Sequence, residues 1–394
     1  MKRRPLTLAA CCVVHAVQDG LHAALYVVLP ILAQTFGLGY AEVGMVRAIN
    51  NSAMAVFELP SGMLAERLGE RTLMVFGLGC AGCGYLALWT AATLPFIAAC
   101  LFLVGLGAGF QHALSSSIIS KTFEASSARA ALGTYNSSGD IGKLVYTGLF
   151  SLAIGVGLGW QSVVAGFGVT TLLTAVALWL VLSRLAVGAR PAARTGPATG
   201  GPAGWGIRDR GGFAALVSIV FLDITVQGSF LTFLAFVMIE KEVPASLAAF
   251  AVVLTLAGGA CGKFGCGFLA QRLGVVRSLA IVQCLTAAGI VALILAPALA
   301  AFSLLPFLGM VLQGSSSITY GSVGDLVRPD RRSRGFAAIY STSSIASVAG
   351  PVTFGLISAR FGLTSALLSM ASVVLLTLPL AAWLRPALAR SYAA

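Results

Sequence analysis

The chain has 394 residues, 58% of them apolar and only 10% charged, with a mean hydropathy of +0.94, a net charge of +12 and a pI near 9.7. Soluble domains run at roughly half apolar and a quarter charged, so most of this chain must face lipid or other apolar helices, which excludes a soluble globular domain. The basic excess is spread along the chain rather than gathered into one patch, which argues against nucleic acid as a partner.

About 20 apolar residues cross a bilayer core, and backbone groups in lipid must be satisfied within each span, so helices are expected. The predicted spans are 6–35, 42–64, 73–91, 96–120, 130–152 and 161–184, then 212–238, 246–270, 277–295, 302–327, 334–359 and 364–385. The first runs past Pro30 without a short apolar core and a small-residue cleavage site, so it is expected to be a transmembrane helix and not a cleaved signal. Most of the 25 basic residues fall on segments that share one side, with Lys241 and Arg360 on the other. By the positive-inside rule this places both termini in the cytoplasm of a bacterial-type inner (plasma) membrane.

Ionisable groups inside spans are costly and are functional candidates by default. On the first span His15, Gln18, Asp19, His22 and Tyr26 recur at i, i+3, i+4, i+7 and i+11, which is one helix face. That stripe is expected to face a central cavity, with Asp19 exchanging protons and His15 or His22 tuning it; the alternative is a satisfied structural cluster. The second span aligns Arg47, Asn50, Met54 and Glu58. Arg47 is the candidate for an anionic ligand group, because a guanidinium grips carboxylate or phosphate bidentately; pairing with Asp19 is the alternative.

All eight cysteines lie within spans, and the Cys80/Cys83 pair lacks the further ligands of a structural zinc centre, so no metal site is expected. The fourth span carries Gln111, His112 and Ser115, with His112 either a substrate or proton site or a histidine bonded to a neighbouring helix. In the fifth, Asn136, Asp140 and Lys143 share a face, and Asp140 with Lys143 at i, i+3 either pair within the helix or contact substrate. The second half repeats the acid of the first span but not its imidazoles, giving Asp223 and Gln227, and its fourth span offers Gln313, Ser317 and Tyr320.

The halves repeat at a nearly constant offset. Asp19 aligns with Asp223 at 204, while Gly62 with Gly267, Arg129 with Arg334 and Tyr135 with Tyr340 align at 205. The expected organisation is a six-helix bundle over 1–184, a Gly-, Pro- and Arg-rich cytoplasmic linker over 185–211, and a second bundle over 212–394. Parallel repeats about an axis along the membrane normal are a known transporter plan.

The loop GMLAERLGER at 62–71, repeated as GFLAQRLGVV at 267–276, resembles the G-x-L-A-D-R-x-G-R-K loop of the major facilitator superfamily. Gly62, Leu64, Ala65, Glu66, Arg67, Gly69 and Arg71 match in the first copy, and Gly267, Leu269, Ala270, Arg272 and Gly274 in the second. The resemblance implies an all-α membrane fold of twelve helices in two pseudo-symmetric bundles. It also implies a cytoplasmic gate, in which Glu66 caps the helix beginning near Arg334 and Arg67 and Arg71 complete a charged latch. Gly62 and Gly69 are expected to allow close approach and a tight turn. Gln271 in place of the acid makes that latch asymmetric. A positive-inside hairpin without a latch is the plainer reading.

Within the superfamily, H-x-x-x-D-x-x-x-x-x-L-Y (His15, Asp19, Leu25, Tyr26) and G-x-G-x-x-F-x-H-x-x-S-S (Gly105, Gly107, Phe110, His112, Ser115, Ser116) look most like the fosmidomycin-resistance-type exporters. The fourth-helix arginine of many drug/proton antiporters is replaced near Leu101, and no Gly-Pro antiporter signature follows, so generic multidrug antiport is not implied. No G-x-x-x-x-G-K-[ST] sequence is present. The expected function is therefore a monomeric secondary transporter using alternating access, coupled to protons, without a cofactor and not an enzyme, exporting a small polar or anionic compound. Import of an organic anion or a metal chelate is the alternative, with a transport-inactive sensor or a lipid enzyme more remote.

Overall fold

The computed structural model describes residues 3–123, 125–189, 206–328 and 332–393, and within them all side chains but those of 59, 66, 125–130, 332–334 and 390–393. Every extended element is a helix. The first seven are α1 (Arg3–Phe36), α2 (Tyr40–Leu68), α3 (Glu70–Leu88), α4 (Leu94–Gly109), α5 (His112–Thr122), α6 (Ala125–Gly155) and α7 (Trp160–Arg184). Then come α8 (Arg210–Glu240), α9 (Ala245–Leu273), α10 (Val275–Leu295), α11 (Ala298–Gly321), α12 (Val323–Leu326), α13 (Arg332–Phe361), α14 (Leu363–Leu375) and α15 (Thr377–Ala393). Among the described residues the only β pairing is an isolated bridge between Ile207 and Val327.

Among the described residues ten spans are long and apolar enough to cross a membrane, counting α4 with α5, α11 with α12, and α14 with α15 as one each. The two long helices outside that count, α2 and α6, carry Arg47 and Glu58 in one case and Asp140 and Lys143 in the other. Large side chains such as Leu295 at 79% and Leu299 at 83% exposure stand outward, as expected where the surrounding medium is hydrocarbon.

The chain forms two compact units. Unit 1 comprises Met1–Leu38, Val46–Pro197 and Ala245–Phe250; unit 2 comprises Gly39–Met45, Ala198–Pro244 and Ala251–Ala394. Each therefore includes the leading turn of a helix whose body belongs to the other. In unit 2 that turn of α2 is held by the Tyr40 hydroxyl, which donates to Glu240 Oε1 at 2.5 Å. In unit 1 the Ser151 hydroxyl donates to the Ser246 carbonyl at 2.7 Å.

In lipid, apolar burial gives helices little reason to associate, and small residues that let backbones approach take over that role. In unit 1, α1 lies against α6 so closely that a Cβ on Gly142 would stand 1.9 Å from the Ala16 carbonyl oxygen. In unit 2, α8 packs on α13 and α15, and a Cβ on Gly350 would come within 2.6 Å of Ser229 Oγ and the Thr225 carbonyl.

The fourth predicted span is broken. After Gly105, Gly107 and Gly109 the helix ends, the Phe110 amide turns back to the Gly107 carbonyl at 3.3 Å, and α5 restarts at His112. Glycine weakens the helix there, and the restart puts His112 in the first turn of α5.

The loop motif divides by position. Gly69 takes φ 85° and Gly274 φ 78°, each ending one helix and starting the next, a conformation costly for any side chain. The close approach expected of Gly62 is not present: it lies inside α2 with open space where a Cβ would point. Arg71 is also engaged within unit 1. Its amide donates to the Gly188 carbonyl at 2.9 Å and its guanidinium stacks on Trp179 at 4.7 Å. Arg67 is exposed, and Arg272, also exposed, lies over Phe268 at 4.8 Å. The side chains of Glu66 and Arg334 lie outside the described residues, so the latch itself is not described. Glu70, between the motif's last glycine and arginine, takes up the charge instead: it is buried and accepts from Lys121 and, at 2.9 Å, from Ser117.

Candidate functional site

Helices α1, α5 and α6 bring five charged or titratable groups together in unit 1. Asp19 is the hub. Lys143 Nζ is 3.0 Å from its Oδ2, His15 Nε2 is 3.4 Å from the same oxygen, and His112 Nε2 is 3.6 Å from Oδ1. Lys143 also donates to Asp140 Oδ1 at 3.2 Å, so one ammonium serves two carboxylates. The pairing of Asp140 with Lys143 expected within α6 is thus half of a bridge that reaches α1. His15 is 5% exposed against 38% for the His112 side chain, so the cluster is entered from the α5 side.

Tyr135 completes the site and was not legible as part of it. Its carbonyl oxygen lies 2.7 Å from His15 Nδ1, its ring stacks on the imidazole at 4.2 Å, and its hydroxyl accepts from Gln111 Nε2 at 2.7 Å. The available signal was spacing on α6: Tyr135, Gly139, Gly142 and Tyr146 recur at i, i+4, i+7 and i+11, a small-residue face framed by two aromatics. Asn136, expected on the same face as Asp140, is exposed.

The stripe on α1 divides among several neighbouring helices. His15 and Asp19 meet α5 and α6, whereas the Gln18 amide donates to the Gly107 carbonyl of α4 at 3.2 Å. His22 and Tyr26 turn to α2, where the Arg47 guanidinium donates to the His22 carbonyl at 3.0 Å and to His22 Nε2 at 2.7 Å. It also lies over the Tyr26 ring at 4.2 Å. Arg47 is 1% exposed, its guanidinium covered by His22 and Tyr26. Guanidinium groups only donate, so His22 keeps its proton on Nδ1, a buried atom with no partner among the described residues.

The corresponding acid of unit 2 is built differently. Asp223 is 2% exposed and accepts from Gln283 Nε2 at 2.9 Å, Ser315 Oγ at 2.7 Å and Gln227 Nε2 at 3.5 Å. Gln227 is further held by the Leu312 carbonyl at 2.7 Å. Gln283 on α10 and Ser315 on α11 are the partners that sequence reasoning missed; Gln313, favoured by the repeat, packs against Gly259 instead.

The family model for the Major Facilitator Superfamily matches residues 11–240 and again 216–392. Among curated proteins, an uncharacterised MFS-type transporter of Bacillus subtilis (strain 168), YfnC, is 25% identical over 327 residues, 79% of this chain and 77% of its own. Among solved structures, a bacterial homologue of the human lysosomal transporter Spinster superposes in its inward-facing unoccupied form with a TM-score of 0.78 at 18% identity, over 99% of this chain and 98% of its own. Its inward-facing occupied form gives 0.80 at 19%, over 98% and 97%. A superfamily model spanning both halves, met by a wholly helical chain with an acid in the first helix of each half, makes this multi-pass membrane protein a member of the Major Facilitator Superfamily.

Proposed function

We propose that this chain is a secondary active transporter that works by alternating access, couples to protons, and exports a small polar or anionic compound across the inner membrane with both termini in the cytoplasm. The observation that carries the reading is the unlike treatment of two aligned acids, Asp19 partly buried at 14% exposure and Asp223 buried at 2%. Asp19 sits among one ammonium and two imidazoles, which suits a ligand bearing charge. Asp223 sits among neutral donors only. Gln283 can serve both protonation states of Asp223: its amide donates to the carboxylate, and its Oε1, buried and otherwise unpartnered among the described residues, accepts from the acid when the amide turns over. Asp223 is therefore the proton site of the proposal, and the Asp19 cluster the substrate site.

The positions His15, Asp19, Leu25, Tyr26 and Gly105 to Ser116 that resemble fosmidomycin-resistance-type exporters support export. The second reading, a metal chelate as the transported species, is favoured by His15, Asp19 and His112, whose ligating atoms lie within 4.8 Å of one another. The test is counterflow of labelled candidates in proteoliposomes, with candidates chosen by a thermal-shift panel, since a specific ligand stabilises by mass action. Counterflow accelerated by a pH gradient supports the reading; counterflow indifferent to the gradient removes the proton.

A further inference from the structure

We infer that His15, His112 and Asp19 form a binding site in unit 1 for a divalent transition-metal ion, with a coordination position left open for water or for a donor atom of a chelate. The inference rests on the reading of this cluster as the substrate site and names the class of ligand it takes.

His15 is oriented as a metal-binding histidine is. Its Nδ1 faces the Tyr135 carbonyl at 2.7 Å. A carbonyl only accepts, so the neutral ring carries its proton there and turns the Nε2 lone pair to Asp19 and His112. A ring whose far nitrogen donates to a backbone carbonyl is the usual support of a metal ligand, and the stacked Tyr135 ring at 4.2 Å fixes its plane.

The spacing also fits. With metal bonds of about 2.0–2.2 Å in a tetrahedral arrangement, neighbouring ligand atoms lie roughly 3.3–3.6 Å apart. His15 Nε2 stands 3.4 Å from Asp19 Oδ2 and His112 Nε2 3.6 Å from Oδ1, and one ligating atom from each residue lies within 4.8 Å of the others, so a turn of the carboxylate brings the three to a common ion. Two imidazoles with one carboxylate select borderline ions such as zinc, cobalt or nickel over magnesium or calcium. Three protein ligands are the number that leaves a fourth position open.

Two neighbours make room. Lys143 opposes a cation at Asp19, yet Asp140 stands 3.2 Å away to hold its ammonium when Asp19 turns to the ion. A Cβ on Gly139 would stand 2.6 Å from His15 Nε2 and 2.8 Å from Asp19 Oδ2, so α6 leaves bare the space beside the ligating atoms. The entry side is His112, whose side chain is 38% exposed.

The experiment titrates the purified full chain in detergent with cobalt chloride alone, followed by visible absorption and equilibrium dialysis. The expected result is one saturable Co²⁺ per chain with the spectrum of a four- or five-coordinate ion, displaced by Zn²⁺ and not by excess Mg²⁺. His15→Gln and His112→Gln each weaken binding at least about tenfold, with melting temperature monitored to confirm folding. Absence of saturable binding to the unmodified chain, displacement by Mg²⁺, or binding unchanged in both variants overturns the site. Binding needs no transport cycle, so the two readings fail separately. Gradient-driven counterflow without cobalt binding removes the metal site alone, and cobalt binding without counterflow removes the transport reading alone.

Discussion

Asp19 and Asp223 occupy aligned places in the first helix of each half, 204 residues apart, and the structure surrounds them with opposite chemistry. Asp19 is held by an ammonium and two imidazoles from other turns and helices. Asp223 is held by two amides and a hydroxyl. A buried carboxylate is costly unless paired or hydrogen-bonded, and the two halves meet that cost by different routes. The lesson is that the repeat preserved the position of the acid and let its partners diverge, so an acid's role here is read from its neighbours and not from its alignment.

The strongest way to break the contrast is to remove the cation. Lys143→Ala leaves the partly buried Asp19 and Asp140, 14% and 21% exposed, without their shared ammonium, and thermal unfolding is expected to show a loss of about 2–4 kcal/mol. Adding Asp140→Asn should recover part of that loss in a double-mutant cycle. A loss below about 1 kcal/mol would mean that Asp19 is satisfied by neutral donors as Asp223 is.

Next come the contacts that deliver each acid. Gly142→Ala forces a methyl against the Ala16 backbone and is expected to cost about 1–3 kcal/mol in denaturant unfolding. Gly350→Ala, whose Cβ would meet its nearest atoms at 2.6 Å instead of 1.9 Å, should cost less. The reverse order would show that unit 2 is the more tightly built.

The halves should agree at the loop glycines. Gly69→Ala and Gly274→Ala are each expected to lose about 1–2 kcal/mol for the left-handed backbone, whereas Gly62→Ala, facing open space within a helix, should lose nothing. Unequal losses at Gly69 and Gly274 would extend the asymmetry to the hairpins.

The smallest effect on stability is expected at Asp223→Asn, less than about 1 kcal/mol, because an amide of the same shape keeps an acceptor for its donors. Its functional effect is the sharper test: counterflow persists and its acceleration by a pH gradient disappears. An Asp223→Asn protein still driven by the gradient would move the proton elsewhere.

The helical architecture was legible because apolar runs of about 20 residues and the demand for internal backbone hydrogen bonds leave few alternatives in a bilayer. The charged residues of the site were legible for the same reason, since Asp19, His112 and Lys143 stand out against an apolar background. Their partners were not. Tyr135 reads as one more aromatic and Gln283 as one more polar residue in a span, and Arg47 reads as ligand-facing although it is buried on His22 and Tyr26.

Composition and periodicity act along one chain segment, so by themselves they determined which residues are helical, where the halves repeat, and which groups are too costly to bury idly. Which acid meets a cation, which imidazole is tethered by a carbonyl, and which glycine lets α6 reach α1 depend on how neighbouring helices rotate and how closely they approach. The tertiary structure alone decided those, because they are set by contacts between residues as far apart as His15 and Tyr135.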